Sequence, residues 1–210
     1  FKQCVKNYEA TVQNEIGEVE PGVKVTATKV KTPETIIDPK VAKKLILSVI
    51  AAQNGVARMS SSMPGLVETS SNLAIVKSYE KTIEVKALIR SSVDTSKMAL
   101  AEYFASAFRL AAAKVVLDAE YPGWQPNTNS EILKLALKTY KSLFKEEAKI
   151  TAVHAGLECG ILGAKYPNWD MISFGPTIQN THSPDERVNI RSVDKFYKFL
   201  LEILKNAPKK

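Results

Sequence analysis

Residues 67–90 read VETSSNLAIVKSYEKTIEVKALIR, and the second half of this stretch decides the fold class. Ile83, Val85, Ala87 and Ile89 alternate with Thr82, Glu84 and Lys86, with Leu88 the one exception. Successive side chains of a strand point to opposite faces, so the alternation predicts a half-buried strand over residues 82–90. Residues 67–76 predict a second strand, joined to the first near residues 78–81.

Upstream, residues 1–16 read as helix and residues 23–30 (VKVTATKV) as a strand. Pro33 and Pro39 bracket a loop, and Asp38 before Pro39 makes a helix start, a capping side chain ahead of a proline at the first helical position. Val41, Leu45, Ile46, Val49 and Ile50 follow at helical spacing until Gly55 stops the helix. Residues 56–66 read as loop. Downstream, Asp94 or Thr95 caps a helix whose apolar face includes Met98, Ala101, Phe104, Phe108 and Ala111, and residues 113–119 read as a short strand. The order over residues 23–119 is strand, helix, strand, strand, helix, strand, the split βαβ pattern of a ferredoxin-like sandwich.

Residues 121–130 (YPGWQPNTNS) form a turn-rich boundary. Beyond it the reading is a helix over 130–144, a strand at 150–153, a short helix after Gly156, a strand at 171–174 and a closing helix at 192–204. Alternating helices and strands predict an α/β unit with a mainly parallel sheet. The expected class is therefore mixed α/β in two parts, residues 1–118 and 119–210.

Hydrophobic residues make up 45% and charged residues 24% of the 210, the balance of an ordinary soluble domain. No apolar run approaches the length needed to span a bilayer, so no membrane partner is expected. Net charge is +7, yet the lysines are scattered and no aromatic-interleaved basic platform occurs, so nucleic acid is not expected either. Cys4 and Cys159 are far apart and make no metal spacing, which suits free thiols in a reducing compartment. The chain opens FKQCVKNYEATVQ, inside a helix and without an initiator Met. The expectation is a fragment of a longer protein.

Both histidines, His154 and His182, fall in HAGLECGILGAKYPNWDMISFGPTIQNTHSPDERVNI, residues 154–190. Histidine is the commonest metal-binding side chain and titrates near neutral pH. Gly175 and Pro176 make a turn, and Asp185 and Glu186 follow His182 either as a steadying pair or as a solvated one. His154 and Glu158 flank Gly156 just after an expected strand and read as pocket-lining. Trp124 and Trp169 read as packing rather than recognition groups. Glu146 and Glu147 sit in a lysine-rich helix end and read as solvent-exposed.

The wording HAGLECG, YPNWDMISFGPTI and HSPDERV closely resembles the C-terminal segment of the Xaa-His dipeptidases (aminoacyl-histidine dipeptidase, peptidase D), within the superfamily of zinc carboxypeptidases, aminoacylases and carnosinases. GLVETSSNLAIV, ALIRSSVD and YPGWQPNTNS match as well, and the resemblance covers residues 40–208 well and the first forty loosely. It implies a cytoplasmic hydrolase with a two-part catalytic domain and an inserted lid containing ferredoxin-like units. Residues 1–118 would be the later part of the lid, and residues 119–210 the second portion of the catalytic domain. It implies two zinc ions, or another divalent metal, in the intact parent, with His182 as a ligand of one. It implies Arg90 as the anchor of the substrate's C-terminal carboxylate, through two parallel hydrogen bonds that lysine cannot copy. Asn72, Gly175, Thr177, His154 and Glu158 would line the substrate.

The resembled family carries its other ligands and its general base in an HxD motif and a later Glu-Glu pair. This chain has no HxD, so no catalytic residue is expected in it, and alone it is expected to be inactive. The substrate expected of the parent is an unblocked dipeptide such as Xaa-His, and a homodimer is expected from the way lids of this family make contacts. The alternatives are another amidohydrolase of the superfamily (tripeptidase, aminopeptidase or aminoacylase) or a non-catalytic binding or dimerisation module.

Overall fold

A computed structural model describes residues 1–154 and 156–208. Ala155, in the quoted HAGLECG segment, and Lys209 and Lys210 lie outside the described residues. The chain divides into two compact units, Phe1–Ala42 and Lys43–Lys210.

In the first unit, α1 (Lys2–Ile16) buries no residue. Its helix ends where the Gly17 N–H bonds to the Gln13 carbonyl at 2.9 Å. A carboxylate oxygen of Glu9 accepts the Val25 N–H at 3.4 Å. Residues 23–30 do not form the expected strand: alternation fixes which way side chains point, but a strand also needs a neighbour to share its backbone hydrogen bonds. α2 (Pro39–Ala51) starts as read, with Asp38 Oδ1 accepting the N–H of Lys40 at 2.9 Å and of Val41 at 3.1 Å.

In the second unit, β1 (Gly55–Met59), β2 (Val67–Ser78) and β3 (Ile83–Ser91) make an antiparallel sheet in that order. The sequence reading placed residues 56–66 in a loop. Gly55, at φ +96°, instead turns the chain into β1, which pairs with β2 through a register broken by two irregularities. Across β2 and β3, Thr69 faces Ser91, Ser70 faces Arg90, Ser71 faces Ile89 and Asn72 faces Leu88. α3 (Asp94–Leu110) packs Phe104 and Phe108, rings 5.3 Å apart, with Ala52 against Val49, Leu73, Val85 and Ile89. Each such buried aromatic contributes about 1.5–3 kcal/mol. Ser48 of α2 donates to the Ala107 carbonyl at 3.1 Å and ties the two helices together. Met98 is exposed rather than part of this face.

Neither Asp94 nor Thr95 caps α3; its N-cap is Val93. Asp94 is used elsewhere. Its Oδ1 accepts the Gly123 N–H at 2.8 Å and the Lys97 ammonium at 2.8 Å. Lys97 is only 7% exposed and also donates to the Tyr121 carbonyl at 2.6 Å. Burial alone would raise the Asp94 carboxyl, but the bonds from Lys97 and from the Gly123 N–H bring it below the ordinary carboxylate value. The turn so held has no slack: a Cβ on Gly123 would sit 2.6 Å from the Ser92 carbonyl oxygen, and one on Gly160 2.6 Å from that of Pro122.

The remaining elements are α4 (Glu131–Phe144), α5 (Glu158–Lys165), β4 (Ile178–Gln179), β5 (Arg187–Val188) and α6 (Ile190–Asn206). α4 is capped by Ser130, whose hydroxyl accepts the Leu133 N–H at 3.0 Å, and by Asp170, whose Oδ2 accepts the Ile132 N–H at 3.0 Å. Ala136, Phe199 and Ile203 form a second core with Ile132, Tyr140, Phe144 and Ile172. Residues 113–119, 150–153 and 171–174 form no strand. Among the described residues the only sheet in this half is the two-residue antiparallel ribbon β4–β5, in place of the expected parallel sheet. Residues 113–119 are bounded by Ala112 and Ala119, both left-handed (φ +63° and +51°), which turns the segment sharply at each end.

Removing the ammonium strips one charged partner from Asp94 and from the Tyr121 carbonyl, so Lys97→Ala is expected to lose about 2–3 kcal/mol in a urea titration. The Asp170 carboxyl is held below its ordinary value of 3.8, first by the Ile132 N–H and then by the Ser130 hydroxyl. Its contribution is present above that value and fades as pH falls below it. Asp170→Asn is expected to cost about 1 kcal/mol at pH 7, with the gap to wild type closing toward pH 3 in thermal melts.

Candidate functional site

The β2–β3 register sorts the sheet residues onto two faces. Ile89 and Leu73 look into the α3 core, so Ser70, Asn72, Leu88 and Arg90 share the opposite face. That face borders a cavity of about 1150 Å³ lined by Leu88, Arg90, His154, Gly156, Tyr121 and Trp124, with apolar walls from Val116, Ile150, Ile172 and Phe174. The structure thus brings Arg90 and His154 to one wall and places Asn72 on the same sheet face.

Arg90 Nη1 donates to the His154 carbonyl at 3.4 Å, and His154 Nε2 lies 2.6 Å from the Ser70 hydroxyl oxygen. Burial first, and then the neighbouring guanidinium, lower the His154 pKa from 6.5; a hydrogen bond to the Val67 backbone opposes them without reversing the shift. Both lowering effects favour the neutral imidazole. Glu158, at the start of α5, makes itself felt through its charge: burial and then Glu158 raise both the Tyr121 hydroxyl and the half-buried Cys159 thiol. Cys4 and Cys159 are free thiols, as read.

Gly175 and Thr177 belong to a segment whose Phe174, Pro176 and Ile178 line the same cavity, and His182 follows in the β4–β5 hairpin. Gly175 has open space where a side chain would be. The Thr177 N–H is engaged, donating to the Ser192 hydroxyl at 2.9 Å. His182 occupies the tip of the β4–β5 hairpin in a left-handed conformation, φ +65°. Its backbone N–H donates to Glu186 Oε2 at 2.7 Å, so that carboxylate fixes the turn carrying the imidazole. Among the described residues no three His, Cys, Asp or Glu side chains gather as a metal site. Trp169 is exposed and stacks on Tyr166 at 4.3 Å.

Ser70 is the site residue that sequence reading missed. Its signal was its place in a strand directly opposite Arg90, which only the register supplies.

No described helix is long and apolar enough to cross a membrane. Residues 7–206 match Peptidase family M20/M25/M40. The chain is 38% identical over all 210 residues to the cytosol non-specific dipeptidase of Escherichia coli, and spans 43% of that protein's length. Its fold matches aminoacylhistidine dipeptidase from Vibrio alginolyticus with a TM-score of 0.85 and 35% identity, over 98% of this chain and 42% of that one. A match to aminopeptidase PepT from Bacillus cereus (TM-score 0.65, 14% identity, 80% of this chain and 45% of that one) is a likeness of fold alone.

The two histidines give separate ring-proton signals. His154 is expected to titrate below 6.5, and Arg90→Met is expected to raise its midpoint while leaving it below 6.5, because burial persists. The unfolded chain takes up this proton at a higher pH than the folded one, so the His154 contribution falls as pH drops below 6.5.

Proposed function

This chain belongs to Peptidase family M20/M25/M40, and from that premise we propose that it is the substrate-anchoring and metal-completing part of a cytosolic zinc dipeptidase acting on unblocked dipeptides of the Xaa-His kind. The observation that carries the proposal is the placement of the Arg90 guanidinium on the cavity wall beside His154, whose carbonyl it holds at 3.4 Å.

In this reading Arg90 grips the free carboxylate of the dipeptide in a bidentate pair, and apolar walls receive the side chain. Asn72, on the same sheet face, and Glu158 flank the substrate; Gly175 and Thr177 shape the turn beside it. His182 is suited to one position of a metal site, since neutral imidazole is a good zinc donor and the bond from its backbone to Glu186 fixes the turn that presents it. With no larger donor cluster among the described residues, the other ligands and the general base belong to a portion that this chain, which spans 43% of the length of the Escherichia coli relative, does not include. When bound, the metal supplies an activated water and polarises the scissile carbonyl. The chain alone is accordingly inactive. The lid and catalytic portions divide at residues 118 and 119, and the whole protein pairs as a homodimer.

The test is hydrolysis of Gly-His by the whole protein, with and without a chelator. Arg90→Lys is expected to raise KM about 10- to 100-fold with a smaller change in kcat, reflecting a lost charged hydrogen bond. His182→Ala is expected to remove most chelator-sensitive turnover and to weaken zinc retention on dialysis. Full activity in both variants would overturn the proposal.

A further inference from the structure

The contact between Ser70 and His154 joins positions 84 apart in the chain. Ser70 also stands directly opposite Arg90 across β2 and β3, and Arg90 holds the carbonyl of the same His154. Three residues therefore close a loop. Strand register fixes Ser70 beside Arg90, Ser70 meets the imidazole, and Arg90 meets the backbone that carries it.

A neutral imidazole has one N–H and one lone pair. Nε2 is the nitrogen that faces the Ser70 hydroxyl at 2.6 Å, and a hydroxyl can donate to its lone pair or accept from its N–H, so the bond pins the ring in either tautomer.

We infer that Ser70 is a positioning residue for substrate binding: the bond between its hydroxyl and Nε2 of His154 holds the imidazole in place, and with it the backbone carbonyl that the Arg90 guanidinium meets. A loose ring would draw the His154 backbone, and with it the guanidinium, off the carboxylate it must meet. The inference rests on Arg90 being the carboxylate anchor; the Ser70–His154 bond itself does not.

The experiment has two arms. Long-range proton–nitrogen correlation on the ¹⁵N-labelled 210-residue chain reads the tautomer of each of its two histidines. His154 is expected to keep one tautomer, with the same Nε2 shift, in wild type and in Ser70→Thr, and to shift in Ser70→Ala. A freely averaging pair of tautomers in wild type, which needs no variant to fold, would overturn the inference, as would identical His154 shifts in wild type and a folded Ser70→Ala. In the second arm, Gly-His kinetics of the whole protein, Ser70→Ala is expected to raise KM about tenfold with kcat held within about twofold, and Ser70→Thr to restore it. Equal loss in kcat and kcat/KM would contradict a positioning role. If Arg90→Lys leaves KM unchanged, the anchor reading fails; a His154 shift that moves in Ser70→Ala would then leave the Ser70 bond standing as a structural one, and the role in substrate binding would fall.

Discussion

A buried ammonium organises the second unit. Lys97 sits on the first turn of α3 but spends its charge on the Asp94 carboxylate and on the Tyr121 carbonyl, while the same carboxylate receives the Gly123 N–H. Three bonds converge on one point, so the chain leaving α3 is brought back to the start of that helix some two dozen residues later. The glycines at 123 and 160 permit the backbone to lie that close. An ammonium taken out of water is costly unless fully engaged, and the engagement is what ties the sheet-and-helix layer to the elements that follow.

With that joint fixed, the sheet can reach across to the segment before α5. Arg90 lies at the end of β3 and His154 just before a short helix, far apart in sequence, yet they touch. The apolar cavity between them is bordered by residues from both sides of the joint. A guanidinium and an imidazole side by side are electrostatically uncomfortable if both are charged. Burial of the ring settles the matter in favour of a single charge.

What could be read from sequence follows from how local each signal is. The helices were legible because their determinants lie within a few residues: Asp38 before Pro39, Ser130 before Glu131, the apolar spacing through Phe104 and Phe108. β3 was legible from its alternation, broken only at Leu88. Residues 23–30, 113–119, 150–153 and 171–174 alternate or run apolar just as well, but a ladder depends on a second segment whose position no local pattern encodes. β1 failed in the opposite sense: a stretch bounded by Gly55 and rich in Ser and Met beyond residue 59 looked like loop, while β2 offered it an edge. Arg90 was singled out through resemblance and His154 also from its place beside Gly156; what the structure adds is that both line one cavity. The bond from Ser70 needed a register and a contact that crosses half the chain.

His182 carries a second demand besides any donor role. Its φ of +65° lies where a side chain costs about 1–2 kcal/mol, and where asparagine, aspartate and histidine are accommodated more readily than others. Under the metal role proposed for His182, substitutions there are screened twice, once by hairpin closure and once by chemistry. Alanine fails both screens together; asparagine passes the first and fails the second. The spectrum of tolerated amino acids at this one position therefore separates the shape of the turn from the lone pair it presents.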